Sequence, residues 1–217
     1  MNPESSQAHA GGAGDPPTAL DALVARTAGP QWWRKAFHAL NAVLIASVIA
    51  VLEPPRGVAV AGLSFLTLTA FAIDALRLSN ARANELFFRA LGKLASPREA
   101  RRIASSTWYM VGILAVVAVF PREVAVSAIL VLGLCDPAAA WVGRRLGRRP
   151  FLGGTLEGSL AFFAVGVVIL GARHAWPAAV AAAAAAALAE RRSWPLDDNL
   201  AIPIASAAVI QAMEWMG

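Results

Sequence analysis

The sequence predicts an all-α, polytopic membrane protein, a bundle of about seven transmembrane helices with its polar loops gathered on one face. Three observations predict it. Of the 217 residues, 58% are hydrophobic and 15% charged, whereas soluble domains carry about 45–50% and about 25%. Apolar runs of about 17–20 residues recur along the chain, each long enough for a hydrocarbon core of roughly 30 Å. The basic residues, finally, are distributed unevenly among the segments that join those runs.

In order along the chain, residues 1–28 form a leader rich in Gly, Ala, Pro, Ser and Asp without apolar periodicity, expected to be disordered. It shows no signal peptide, because no apolar core follows a basic start. Residues 29–217 form the membrane domain. Trp32, Trp33, Arg34 and Lys35 open it as an aromatic and basic interfacial anchor. Seven spans follow, at about 37–52, 57–73, 104–120, 123–142, 157–172, 175–190 and 199–216. The sixth is largely alanine, which suits close helix packing better than lipid contact. Between the second and third spans, Asp74 to Arg102 is polar, basic and helix-prone. Phe87, Phe88, Leu91 and Leu94 recur there at near-helical spacing, consistent with an amphipathic helix on the membrane surface or with an ordinary helical loop.

With the N-terminus in the cytoplasm, only Arg56, Arg122 and Arg173 of the nineteen basic residues fall outside. The positive-inside rule therefore puts every polar cluster on the cytoplasmic side. The net charge of +5 then reflects basic loops facing anionic membrane lipids, and no nucleic-acid-binding motif accompanies it. Cys135 is the single cysteine, which excludes a disulfide framework and a Cys-based zinc site. The alanine- and arginine-rich composition suits a high-GC bacterial source and an inner membrane.

Four clusters carry the candidate chemistry. Arg34, Lys35 and His38 open the first span, with Arg34 and His38 four apart and so on one helix face. A positive-inside anchor accounts for the two cations alone, but a histidine at the edge of a span needs a partner. Asp136 lies within an apolar span, where an ionised carboxylate is costly and marks a metal, ion or substrate site. Pro137 beside it can free backbone carbonyls, and Gly143 and Gly147 bare the backbone for a neighbouring helix or a phosphate. Arg144, Arg145, Arg148 and Arg149 then lead to Gly153-Gly154-Thr155-Leu156-Glu157-Gly158-Ser159. Backbone donors at a helix start beside guanidinium groups make a polyphosphate cradle, although this is no Walker A loop. Glu157 there could equally favour the helix dipole. Asp197, Asp198 and Asn199 open the last span, as magnesium ligands or as helix caps.

In this order, the clusters resemble the motifs of the CTP-dependent lipid kinases, the family of dolichol, phytol and diacylglycerol kinases. Arg34, Lys35 and His38 match its basic-His motif. Asp136, Ala139, Gly143 and Gly147 match its Gly-Asp-x-x-Ala-x-x-x-Gly-x-x-x-Gly segment. Thr155, Glu157, Gly158 and Ser159 match Lys-Ser/Thr-x-Glu-Gly-Ser, and Asp197, Asp198, Asn199 and Pro203 match Asp-Asp-Asn-x-x-x-Pro. Cys135 stands where the family has Gly, and Gly154 where it has Lys.

The resemblance implies a kinase moving the γ-phosphate of CTP to a long-chain lipid alcohol, such as a polyprenol, dolichol, phytol or diacylglycerol, at the cytoplasmic membrane face. It implies Mg2+ held by Asp136 with Asp197 or Asp198. The phosphates would lie against Arg34, Lys35, Gly143, Arg144, Arg145, Gly147, Thr155, Glu157, Gly158, Ser159 and Asn199. His38 or one of the carboxylates would take the hydroxyl proton. The enzymatic alternative is a phosphatidate cytidylyltransferase, whose C-terminal Ser, Lys-Arg and Lys-Asp signature is not found here. The other alternative is a non-catalytic membrane relative with Asp136 as an ion site.

Overall fold

The structure, a computed structural model, describes residues 18–29, 31–192 and 197–216. Among them the chain forms α1 Ala19–Ala25, α2 Trp32–Leu52, α3 Arg56–Ser79, α4 Ala81–Leu91, α5 Ser105–Val119 and α6 Arg122–Leu146. A short hairpin, β1 Pro150–Phe151 and β2 Gly154–Thr155, precedes α7 Leu156–Gly171, α8 Trp176–Arg192 and α9 Asp198–Met216. The fold is an all-α bundle, and α2, α3 and α5 to α9 coincide with the seven apolar runs. By length and composition α2, α3 and α6 are long and apolar enough to cross a membrane, while α5 and α7 are shorter apolar helices.

The central helix is α6. Of its most apolar stretch 61% is buried, against 17% in α2 and in α3. Val124, Val126, Ile129, Val131 and Leu132 are all buried although they point in different directions around the axis, the mark of a helix enclosed on every side. Conversely, α2 exposes Leu40, Leu44 and Val51, and α3 exposes Phe65, Leu68 and Leu76. Such apolar outer faces suit a lipid solvent.

Lipid tails are as apolar as the core, so helix association in a bilayer draws on close backbone approach at small residues. A Cβ on Gly133 would stand 2.1 Å from the Ala42 Cβ, and one on Gly112 2.1 Å from the Asn199 carbonyl oxygen. These two glycines seat α6 on α2 and α5 on α9. The alanine run of α8 works in the same way, with Ala179, Ala182, Ala183 and Ala186 wholly buried.

The second apolar run continues further than its composition predicts, to Ser79, because Asp74 and Arg77 satisfy each other inside the protein. Asp74 is 3% exposed and Arg77 2%. Arg77 Nε donates to Asp74 Oδ1 at 2.6 Å, and its other nitrogens donate to the carbonyls of Glu99 at 2.5 Å and Arg102 at 2.7 Å. Asp74 Oδ2 accepts from the Thr107 hydroxyl at 2.6 Å and the Ala104 N–H at 3.0 Å. A buried ion pair stands only when its remaining lone pairs and protons are met in this way.

The amphipathic segment is a real helix, α4, capped by the Asn80 side chain, which accepts from Arg82 N and Ala83 N. Phe88 is buried beneath it, and the Arg77 guanidinium lies 4.5 Å over the Phe87 ring. The end of the expected leader is also helical: a Thr18–Asp21 capping box starts α1, which packs against α4. The rest of that leader, residues 1–17, lies outside the described residues.

The three basic residues that the charge pattern separates from the others do gather at one end of the bundle. Arg122 pairs with Glu53 at 2.7 Å, Arg173 pairs with Glu123, and Arg56 donates to the Phe120 carbonyl. His174 bridges Glu214 at 2.7 Å and the buried Ser127 at 2.8 Å, tying α6 and α9 to the α7–α8 turn. Arg77→Met is expected to cost about 3–5 kcal/mol, because it strands the buried Asp74 carboxylate. Arg122→Met at the exposed end should cost less than about 1 kcal/mol. Thermal unfolding in detergent compares the two, and equal shifts would refute the assignment of the Asp74–Arg77 pair.

Candidate functional site

The opposite end of the bundle collects the candidate residues. The chain leaves α6 at Gly147 and turns back through the hairpin, whose Phe151–Gly154 register leaves a two-residue loop, Leu152-Gly153. Both loop residues have positive φ, 43° and 79°, as in the tight turn whose twist matches paired strands. Glycine meets that demand freely, whereas Leu152 adopts it at a cost of about 1–2 kcal/mol. The hairpin delivers Thr155 as the N-cap of α7, its hydroxyl accepting from Gly158 N at 3.2 Å. Glu157 steadies the approach, since its Oε2 accepts from Arg148 N at 3.1 Å and Arg149 N at 3.4 Å.

Bare backbone lets α6 and α7 meet here. A Cβ on Gly143 would lie 2.8 Å from Thr155 Oγ1, one on Gly147 2.6 Å from Thr155 Cγ2, and one on Gly158 3.0 Å from the Ala139 carbonyl oxygen. Gly154 is covered differently: the Arg191 guanidinium lies against it, with Nη1 1.8 Å from the position of a Cβ.

Asp136 sits near the site end of α6, and its Oδ2 pairs with Lys35 Nζ at 2.5 Å. Both side chains keep contact with solvent, Lys35 at 20% and Asp136 at 38% exposure. Glu190, near the end of α8, lies within electrostatic reach of Asp136, Asp198 and Lys35. Its Oε2 is buried and stands 2.7 Å from Arg191 Nε but receives no hydrogen bond from the described residues. The geometry explains the difference, because the single Nε–H points to the Ser159 hydroxyl at 2.8 Å. Asp136, Asp198 and Glu190 thus share one negative field. Among the described residues, no three of His, Cys, Asp and Glu converge closely enough to ligate a metal by themselves.

On the other side, Asp197 Oδ1 accepts from Asn199 N at 3.1 Å and from its side-chain amide at 2.8 Å. That amide also donates to the Ser105 carbonyl at 3.3 Å, which fastens the start of α9 to the start of α5. Arg98 reaches Asp197 at 3.9 Å and the Ser105 hydroxyl at 3.2 Å. Arg34 meets the same hydroxyl at 3.4 Å and Glu99 at 3.5 Å.

Between α2 and α4 opens a cavity of about 250 Å³. Phe37, Phe87, Leu91 and Leu94 make it apolar, and Arg34, His38 and Glu99 put polar groups on its wall. The His38 ring stacks on Tyr109 with centroids 4.5 Å apart, and the Tyr109 hydroxyl donates to the His38 carbonyl at 2.7 Å.

Comparison with known proteins bears on this arrangement. The CTP-dependent diacylglycerol kinase 1 of Schizosaccharomyces pombe is 33% identical over 162 residues, covering 65% of this chain and 74% of the relative. The chain belongs to the CTP-dependent lipid kinase family. The CTP-dependent diacylglycerol kinase 1 of Eremothecium gossypii is 33% identical over 99 residues, 44% of this chain and 31% of the relative. That of Saccharomyces cerevisiae is 31% identical over 101 residues, 45% of this chain and 35% of the relative. The chain therefore spans about a third of the length of the latter two. No protein-family profile and no solved structure matches it.

For a chain of the lipid kinase family, the placement of the expected residues is informative. Lys35 and Asp136 touch, Thr155 lies beside Gly143, Gly147 and Gly158, Ser159 accepts from Arg191, and Asp197 joins Asn199. His38 and Arg34 line the apolar cavity, with Asp136 and Lys35 within electrostatic reach of His38. Arg144 and Arg145 are exposed at the end of α6, stacked on Trp32 at 5.3 Å and on Trp141 at 5.1 Å. Glu190 and Arg191 join this candidate group, although the sequence puts Glu190 at the end of the sixth span and Arg191 just after it without singling either out. Their position at the last turn of an alanine helix facing Ser159 is the missing signal.

Partly solvated ion pairs couple weakly. In a double-mutant cycle, Lys35→Ala and Asp136→Ala should show a coupling of about 0.5–1 kcal/mol in detergent unfolding. Strict additivity would mean the pair does not exist in solution.

Proposed function

We propose that this chain transfers the γ-phosphate of CTP to the hydroxyl of a long-chain lipid alcohol, with diacylglycerol the first acceptor to test because the three relatives carry that name. One observation carries the proposal. At one end of the bundle, an ion-paired Asp136, a bare-backbone helix start and the Asp197–Asn199 turn lie close to an apolar cavity with His38 on its wall. A polyphosphate and a lipid tail need those opposite surroundings within one molecule of reach.

Phosphoryl transfer asks little covalent chemistry of a protein; positioning and charge neutralisation do most of the work. The lipid tail fills the cavity between α2 and α4, and its hydroxyl reaches the His38 end. The triphosphate lies along the first turn of α7, where Lys35 and the local arginines offset its charge. As the hydroxyl oxygen bonds to the γ-phosphorus, the bond from that phosphorus to the β–γ bridging oxygen breaks and CDP leaves. His38, on the cavity wall, is the candidate to receive the hydroxyl proton, with Asp136 behind it.

Magnesium fits the residues present. It takes one or two carboxylates, keeps several waters and uses phosphate oxygens for the remainder, so a preformed set of three protein ligands is not required. One or two of Asp136, Asp197, Asp198 and Glu190 would hold it, and the buried Glu190 Oε2, which receives no hydrogen bond from the described residues, suits a cation or its water. When bound, the ion would neutralise charge building on the β–γ oxygens. The basic end of the bundle then faces the cytoplasm, where the nucleotide is.

Purified protein in detergent with γ-labelled CTP and diacylglycerol, polyprenol or phytol should carry label into the organic phase and release CDP. Asp136→Asn should lower the rate by about 100-fold or more, the scale expected on losing an essential charge from the site. Release of pyrophosphate with a CDP-lipid product would overturn the kinase assignment. So would absence of transfer from CTP, ATP, GTP and UTP by folded protein.

A further inference from the structure

We propose that Arg191 is the phosphate-binding cation of the nucleotide site, carried in from α8 to fill a notch that only glycine at position 154 leaves open. The inference rests on the CTP reading above and adds a residue to it.

The steric observation comes first. Relative to the position of a Cβ on residue 154, Arg191 Nη1 lies at 1.8 Å, Cζ at 2.6 Å and Nη2 at 2.9 Å. Three of the four heavy atoms of the guanidinium thus crowd that position, so a side chain at residue 154 would make the guanidinium shift. The sequence pattern noted above has a lysine at this position. Here the local cation is absent from the hairpin and a different helix supplies one to the same place.

The electrostatics point the same way. The Arg191 side chain is only 13% exposed, and its ion-pair partner is the adjacent Glu190 at 2.7 Å. A guanidinium carries five N–H donors in a fixed fork, and among the described residues only Nε is committed, to Ser159. Holding α8 to α7 would need that bond alone. The Nη edge instead borders the first turn of α7, where Thr155 caps the helix and Gly143, Gly147 and Gly158 clear the backbone. A helix start and a planar fork both favour a phosphate, which accepts two hydrogen bonds side by side.

Four variants test this in intact protein: Arg191→Ala, Arg191→Lys, Gly154→Ala, and Gly154→Lys combined with Arg191→Ala. CTP affinity is read directly, by displacement of a fluorescent nucleotide, and the KM values for CTP and for diacylglycerol are read separately. Arg191→Ala should weaken CTP binding by about 10-fold or more, the scale of a lost charged hydrogen bond. Arg191→Lys should fall between, because an ammonium lacks the fork. Gly154→Ala should imitate Arg191→Ala although the arginine remains. The double variant should recover most of the loss, since its lysine re-enters the notch from the hairpin side. The KM for the lipid should stay constant throughout.

If Arg191→Ala and Gly154→Ala lower thermal stability and both KM values together, and the added lysine restores nothing, Arg191 is a structural tie and the inference fails. If the unmodified protein turns over CTP and Arg191→Ala binds it equally well, the inference fails while the kinase reading stands. If the unmodified protein neither binds nor uses CTP, both fall.

Discussion

The distance at which α6 meets its two neighbours governs everything built at the site end. Gly133 admits Ala42 of α2, while Gly143 and Gly147 admit Thr155 at the head of α7. These contacts lie on one helix, so they hold three elements in fixed register. Lys35 can reach Asp136 only because the two helices close up at Gly133, less than one turn from the carboxylate along α6. Thr155 can cap α7 within contact of α6 only because no side chain intervenes at the two glycines. In lipid, where apolar burial adds little drive between helices, such contacts supply much of the geometry as well as the adhesion.

The same molecule treats two acid–base pairs in opposite ways, and the contrast separates structure from chemistry. Asp74 and Arg77 are almost wholly buried and their hydrogen-bonding capacity is widely used, on Asn84, Thr107 and the backbone around residues 99–104. That pair joins α3 to the α4–α5 connection and has little capacity left for a ligand. Lys35 and Asp136 are held together but reach solvent, so a third charged species can compete for either. Glu190 extends the contrast, its buried Oε2 receiving no hydrogen bond from the described residues and other carboxylates lying in its field. Such an arrangement is unfavourable unless a cation answers it, and Arg191, 2.7 Å away, is one that does.

Much of the fold is legible in the sequence because membrane helices announce themselves by length and hydropathy, and all seven apolar runs are helices. The Asp136, Thr155–Ser159 and Asp197–Asn199 clusters are legible because polar groups beside apolar runs are rare enough to stand out. What escapes is whatever depends on which helix neighbours which. Asp74 and Arg77 look like the start of a loop until their partners at Ala104 and Thr107 are seen across α5. Leu152 carries no turn signal, and its positive φ is imposed by the hairpin around it. Arg191 looks like one more positive charge at a helix end, since only the packing of α8 on α7 brings it to Gly154.

The first turns of α2 bring the two halves of the site together by helical geometry alone. Arg34 and His38 are four residues apart and share the face that lines the apolar cavity. Lys35 is turned about 100° from Arg34 by the 3.6-residue repeat, and it meets Asp136 on α6. One helix thus forms a wall with the apolar cavity on one side and the charged cluster on the other. A substitution that rotates α2, such as a bulky residue at Gly133 against Ala42, would disturb the cavity and the charged cluster at once without touching the residues of either.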